Sequence, residues 1–205
     1  MPAAKKLAIP DMERVNTVEL QKLLAFRDEM RGPAVLHISD TFTRAYDNVE
    51  TLLRTLRPEL VIHTGDMADE WKGGRIPEHL PPYREAVDRL IAVMKQYAGE
   101  VWIVHGNNDD APWIRRHQGI VVMPMEGVER EYCGLRLYMQ HTPVQELAEG
   151  RYDFALYGHG YTADRHDPAD NKPGRLCYIN GVRAATLIDC ATKRYLQIPY
   201  REVEA

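Results

Sequence analysis

Oxygen- and nitrogen-bearing residues stand at the ends of short apolar runs in this chain. Leu60-Val61-Ile62-His63 leads into Thr64, Gly65 and Asp66. Val35-Leu36-His37-Ile38-Ser39 ends at Asp40, and Val101-Trp102-Ile103-Val104-His105-Gly106 ends at Asn107, Asn108 and Asp109. Phe154-Ala155-Leu156-Tyr157-Gly158 ends at His159. Carboxylate, amide and imidazole together suit a divalent metal such as Mn, Fe, Zn or Ni. They form one site only if the runs are strands whose carboxyl ends share a rim, where open α/β sheets bind their ligands.

The runs read as strands buried on both faces, because their apolar residues are continuous rather than alternating. Helices fall between them. Asn16 and Glu19 have capping-box spacing ahead of Leu20, Leu23, Leu24 and Met30. Thr43 is placed to cap a helix carrying Val49, Leu52, Leu53 and Leu56, ended by Pro58. Residues 69–82 read as a long rim loop that shapes access, and Tyr83–Ala98 as a helix with Val87, Leu90, Ile91 and Met94 inward. Pro112–Gln118 reads as a short helix. Strands alternating with helices imply parallel pairing with right-handed crossovers.

The second half reads as strands at 120–123, 131–132, 135–140, 154–157, 176–180, 184–189 and 195–199. Gly134, Gly181 and Ala191-Thr192-Lys193 supply turns, so hairpins are expected there. The expected fold is α/β: a two-sheet α/β/β/α sandwich with mixed sheets and outer helices. Residues 1–33 form an N-terminal arm and helix, 34–200 a single domain and 201–205 a tail. The leading helix could pack on that domain or make a homo-oligomer.

At 205 residues the chain is long enough for a real core. Its 44% hydrophobic and 27% charged residues are ordinary for a globular protein. A net charge of −4 without a long basic run argues against a large nucleic-acid footprint. No apolar stretch reaches the roughly 18 residues that a membrane helix needs. The three cysteines, Cys133, Cys177 and Cys190, are odd in number and widely spaced, which fits buried thiols in a reducing compartment. A cytoplasmic location is expected.

Taken in order, Ile38-Ser39-Asp40, Gly65-Asp66, Gly106-Asn107-Asn108-Asp109, His141 and Gly158-His159-Gly160-Tyr161 resemble the motif series of the calcineurin-like metallophosphoesterases. The nearest branch is that of the small single-domain bacterial and archaeal phosphodiesterases. The family pattern is Asp-x-His, Gly-Asp, Gly-Asn-His/Cys-Asp/Glu, a lone His, and Gly-His-x-His. The resemblance implies a two-metal site that clamps a small phosphate ester and activates a bridging water for in-line attack. Asp66 would bridge both ions, with Mn²⁺ the first choice and Fe, Zn or Ni the others. Asn107, His141 and His159 would complete one site.

Asp40 would serve the other site. There, however, Phe42 stands at the histidine position of Asp-x-His, and Tyr161 at the second histidine of Gly-His-x-His. Asn108 occupies the position that often carries a general-acid histidine, and it has no titratable proton. His105, just before Gly106, is a further candidate for touching substrate, as are Tyr161 and Arg165, since guanidinium suits phosphate. His37 and His63 lie inside strands and read as satisfied core histidines; His63 could also orient a ligand. His79 and His166 read as solvated loop residues that could replace a missing ligand. Three functions fit: a phosphoesterase working with one tightly held metal, an inactive member acting as a protein scaffold, and a phosphate or nucleotide sensor.

Overall fold

The computed structural model describes residues 10–11, 17–160, 166, 170–172, 174–182, 184–199 and 201–202. In chain order these form β1 (Pro10–Asp11), α1 (Thr17–Glu29), β2 (Ala34–Ile38), α2 (Tyr46–Leu56), β3 (Leu60–His63), α3 (Leu80–Tyr97), β4 (Glu100–Val104) and α4 (Ala111–Ile114). There follow β5 (Val121–Met123), β6 (Val128–Tyr132), β7 (Leu135–Met139), β8 (Phe154–Tyr157), β9 (Cys177–Asn180), β10 (Ala184–Asp189), β11 (Tyr195–Pro199) and β12 (Arg201–Glu202).

Two main sheets result, a six-stranded one in the order β11-β10-β2-β3-β4-β5 and a four-stranded one in the order β6-β7-β8-β9. β2, β3, β4 and β5 pair in parallel, whereas β10 runs antiparallel to both β2 and β11. β6 and β7 form an antiparallel hairpin, and β7, β8 and β9 are parallel. Among the described residues β1 pairs with β12 in a separate two-stranded sheet.

The continuous apolar runs have a physical reason: each central strand is covered twice. Leu36 and Ile38 of β2, Val61 of β3, and Val101 and Ile103 of β4 pack in the core shared with α1, α2 and α3. Val35, Leu60, Ile62, Trp102 and Val104 point the other way. They meet Leu137 and Met139 of β7, Phe154 and Leu156 of β8, and Ile179 of β9 between the sheets. Leu23 and Phe26 of α1 join the helix-side core. On the outer face of the four-stranded sheet, Ala155 and Tyr157 are packed by Val144 and Leu147 of the helix-free segment 142–153.

Three expectations are corrected. Gly181 does not close a hairpin, because β9 and β10 lie in different sheets and the turn carries the chain from one to the other. α3 begins at Leu80 rather than Tyr83, with Pro81 and Pro82 in a first turn whose N–H groups need no helical partner. Thr43 opens a 3-10 turn instead of capping α2, and its side chain is taken by Glu70.

The crossing at Gly181 is tight. A Cβ there would lie 2.8 Å from His37 Cε1 and 2.9 Å from Ser39 Cβ. Gly181→Ala should therefore cost about 1–3 kcal/mol, the usual penalty of overpacking, measurable by urea unfolding.

Candidate metal centre

The carboxyl ends of β2, β3 and β4 from one sheet, and of β7 and β8 from the other, open onto the same seam. Asp66 follows β3, Asn107 follows β4, His141 follows β7 and His159 follows β8. One ligand atom each from Asp66, His141 and His159 lies within 4.8 Å of the others. Asn107 joins them, its Oδ1 being 2.9 Å from His141 Nε2. The His141 ring is held by its other nitrogen, since Nδ1 donates to the Thr64 carbonyl at 2.7 Å. That bond aims Nε2 at Asp66 Oδ2, 3.5 Å away. The His141 and His159 rings stand edge to face with centroids 5.0 Å apart.

The electrostatics ask for a cation. Burial by itself lowers the His141 imidazole, but the hydrogen-bonded Asp66 carboxylate outweighs it and holds the group at about 9. Asp66 is lowered: burial opposes ionisation, and His141 and the Asn108 N–H overcome it. His141 thus carries a proton where a metal would supply the charge. A carboxylate oxygen, an amide oxygen and two imidazole nitrogens fit a divalent first-row ion.

Asp40 lies beside this group without belonging to it. Its Oδ2 accepts from Ser39 Oγ at 2.5 Å and from the His159 backbone N–H at 3.1 Å. Burial raises it to about 7, with a further push from the Asp66 charge. Asn108 is fully engaged. Its Nδ2 lies 2.7 Å from Asp66 Oδ2 and 2.8 Å from Asp69 Oδ1, and its Oδ1 accepts from Asn107 Nδ2 at 3.1 Å. His105 is half-buried, with Nδ1 3.4 Å from the Gly106 carbonyl. Tyr161 and Arg165 lie outside the described residues.

His63 is buried, its Nδ1 accepting from Gly65 N and its Nε2 bonding Thr41 Oγ1. Burial lowers it to about 3, so it works neutral. His37 bonds Thr64 Oγ1 and is likewise lowered to about 3 by burial. His79 bonds the Trp71 carbonyl and sits against its ring, whereas His166 bonds the Val144 carbonyl and stacks on Tyr178.

Asp40, Asp66 and His159 all adopt left-handed backbone, with φ of 47°, 56° and 51°. Such strain costs about 1–3 kcal/mol per residue and persists only where neighbours hold it. Here each N–H is caught by another loop: Asp40 N by the Gly65 carbonyl, Asp66 N by Asp109 Oδ2, and His159 N by Asp40 Oδ2. The loops touch. A Cβ on Gly106 would lie 2.1 Å from Asp66 Oδ1, so only glycine fits there.

Sequence reasoning placed Asp109 in the third motif but gave no role to this residue, which makes the arrangement. Its two oxygens accept from Asp66 N, Met67 N, Gly106 N and Tyr83 Oη at 2.7–3.0 Å. Burial and the Asp66 charge raise its pKa, while these donors favour the ionised form. The available signal was its place five residues after β4, in the family's Asp/Glu position of the third motif.

Asp109→Ala should destabilise the protein by more than about 3 kcal/mol in urea unfolding, since each orphaned buried donor costs about 1–3 kcal/mol. It should weaken metal binding as well, because the Asp66 loop loses its anchor. pH supplies a second check. His141 binds its proton more tightly folded than unfolded, so its stabilisation is complete below about pH 6.5 and is lost as pH rises through about 9. Metal-free protein should unfold at a lower temperature at pH 9 than at pH 6.5, and His141→Gln should flatten that slope.

The family profile described as calcineurin-like phosphoesterase matches residues 33–182. No curated protein matches the chain. The fold is similar to that of YfcE, a phosphoesterase from E. coli, at a TM-score of 0.50 and 16% identity, over 82% of this chain and 100% of that one. A metallophosphoesterase from Sphaerobacter thermophilus aligns at a TM-score of 0.45 and 12% identity, over 83% of this chain and 90% of that one. The Pseudomonas putida nuclease MPE aligns at 0.37 and 20% identity, over 61% and 60%. With a profile spanning residues 33–182, most of its length, this chain belongs to the calcineurin-like phosphoesterase family.

Proposed function

We propose that the chain is a metal-dependent phosphoesterase whose centre holds one divalent ion tightly, on Asp66, Asn107, His141 and His159. The observation that carries this reading is the convergence of Asp66, His141 and His159 within 4.8 Å, with His141 presented by its bond to Thr64. Mn²⁺ is the first candidate for the ion. When bound, such an ion would polarise a phosphoryl oxygen and lower the pKa of a coordinated water.

The chain's own groups do the rest. Asp66 and the two imidazoles fix the ligand geometry. Asn108 holds the Asp66 carboxylate in orientation through its amide and supplies no proton. Asp40 keeps the His159 backbone in place. The second ion of the family pattern is not part of this reading, because Phe42 offers no donor atom and Asp40 Oδ2 already accepts two hydrogen bonds. The substrate is a small phosphate ester. A cytoplasmic setting is supported by the free cysteines, two buried and one exposed.

Phe42 and Asn108 favour one other reading, a member of the family that binds metal and phosphate without turnover. Elemental analysis and hydrolysis assays separate the two. Protein dialysed against Mn²⁺ should hold about one equivalent and hydrolyse an activated aryl phosphodiester. Chelator and Asp66→Ala should abolish both. Simple alkyl esters should lag by about 10² to 10⁴, the usual worth of a positioned general acid, which Asn108 cannot be. One bound equivalent with no ester hydrolysed would favour the sensor, and no bound metal the scaffold.

A further inference from the structure

The loop between β3 and α3 sets a lysine at the edge of the centre. Lys72 Nζ lies 2.6 Å from Asp69 Oδ1. That same oxygen is 2.8 Å from Asn108 Nδ2, which is in turn 2.7 Å from Asp66 Oδ2. The ammonium therefore stands three hydrogen-bond lengths from the carboxylate at the heart of the ligand group. Asp69 is nearly buried, at 10% side-chain exposure, whereas Lys72 is open to solvent at 41%. One donor of the ammonium is anchored, while the side chain remains open to solvent.

This is not an ordinary surface pair, because the segment that carries Lys72 is built onto the site. Gly74 N donates to the Asn108 carbonyl at 2.7 Å, and Arg75 Nε to the Asn107 carbonyl at 3.3 Å. The Lys72 carbonyl accepts from Arg75 N and Ile76 N, closing a turn in which Lys72 itself is left-handed, with φ of 50°. The backbone of residues 72–75 is thus docked on the loop that carries Asn107 and Asn108.

An ammonium has three donors. Among the described residues Lys72 uses one, on Asp69. The centre lacks the imidazoles of a second metal at positions 42 and 161, so one divalent ion alone would face the charge of a phosphate ester. We propose that Lys72 supplies the missing positive charge: its ammonium, anchored by Asp69, binds a nonbridging phosphoryl oxygen of the substrate beside Asp66. The inference rests on the reading of the centre as a phosphate-ester site. It adds a substrate-binding residue outside the ligand set. The ammonium keeps its proton throughout; it binds the oxygen and transfers nothing.

The charge relation is consistent with this placement, since Lys72 helps to keep Asp66 lowered, behind burial and the larger effects of His141 and Asn108. The site then combines two kinds of cation. The ion would be exchangeable and the lysine is covalent, so phosphate affinity should have a component that survives in Lys72 and is absent without it.

The experiment is calorimetric titration of Mn²⁺-loaded protein with inorganic phosphate, with metal content measured on the same samples. Lys72→Met keeps the length of the side chain and removes the charge. It should weaken phosphate binding by about ten- to a hundredfold, the worth of a charged hydrogen bond, and leave Mn²⁺ stoichiometry unchanged. Lys72→Arg, which keeps the charge, should lose less than about tenfold. Lys22→Met, on the exposed face of α1, should change nothing. Phosphate bound equally well by Lys72→Met and the parent overturns the proposal. So does loss of Mn²⁺ in Lys72→Met, which would make Lys72 a prop for Asp69 and Asn108, and so does a parent that binds no phosphate. A parent that binds phosphate through Lys72 yet hydrolyses no ester leaves this inference standing and removes the enzymatic reading.

Discussion

A single buried carboxylate holds the centre together. Asp109 receives hydrogen bonds from the backbone of Asp66 and Met67 on one loop, of Gly106 on another, and from the Tyr83 hydroxyl of α3. The loops after β3 and β4 are thereby closed onto each other, with Tyr83 connecting them to the helix-side core. Asp66 can sit in left-handed backbone because its N–H has this partner, which satisfies three backbone amides at once. Asp66, Asn108 and His141 inherit their positions from that closure. Asn108 reaches the Asp66 carboxylate because the Gly106–Asp109 turn brings it there. His141 reaches it because Thr64, one step before the clasped loop, offers its carbonyl.

The sequence made the central strands legible because burial on both faces writes itself as an uninterrupted apolar run, and β8, β10 and β11 begin and end where the sequence reading put them. It could not say which sheet receives a strand. Gly181 signals a change of direction, but the same signal serves a hairpin and a passage between sheets, and only packing against His37 decides. Pro81 and Pro82 read as loop because proline breaks helices, yet in a first turn it is tolerated. At the site, Asp66, His141 and His159 could be named and the structure brings them together. Asp109 could be placed in its motif but not given its structural role, and Asp69 could not be singled out, since an acidic residue after a strand is what any turn would carry. Lys72 was invisible for the same reason: a lone loop lysine looks solvated until its partner is seen.

The two halves of the centre differ in more than their missing imidazoles. On one side the Asp66 carboxylate and the protonated His141 form a charged pair whose proton a metal can displace, so that side is already organised around a cation. On the other, Asp40 is raised to about 7 by burial, and one of its oxygens is committed to Ser39 and to the His159 backbone. An ion arriving there would find a carboxyl group that prefers its proton near neutrality, and no nitrogen donor from position 42.

Asp40 therefore has a reason to be an aspartate that owes nothing to a second metal. Its carboxylate is the acceptor that holds His159 N–H while the His159 backbone is left-handed, and its own N–H is held by the Gly65 carbonyl. Asp40 links the end of β2 in one sheet to the end of β8 in the other, across the seam that the centre occupies. A residue proposed for one metal site would thus depend on a residue assigned by resemblance to the other. In a centre wired this way the second site can lack its imidazoles while its carboxylate stays, because that carboxylate positions His159, a proposed ligand of the first.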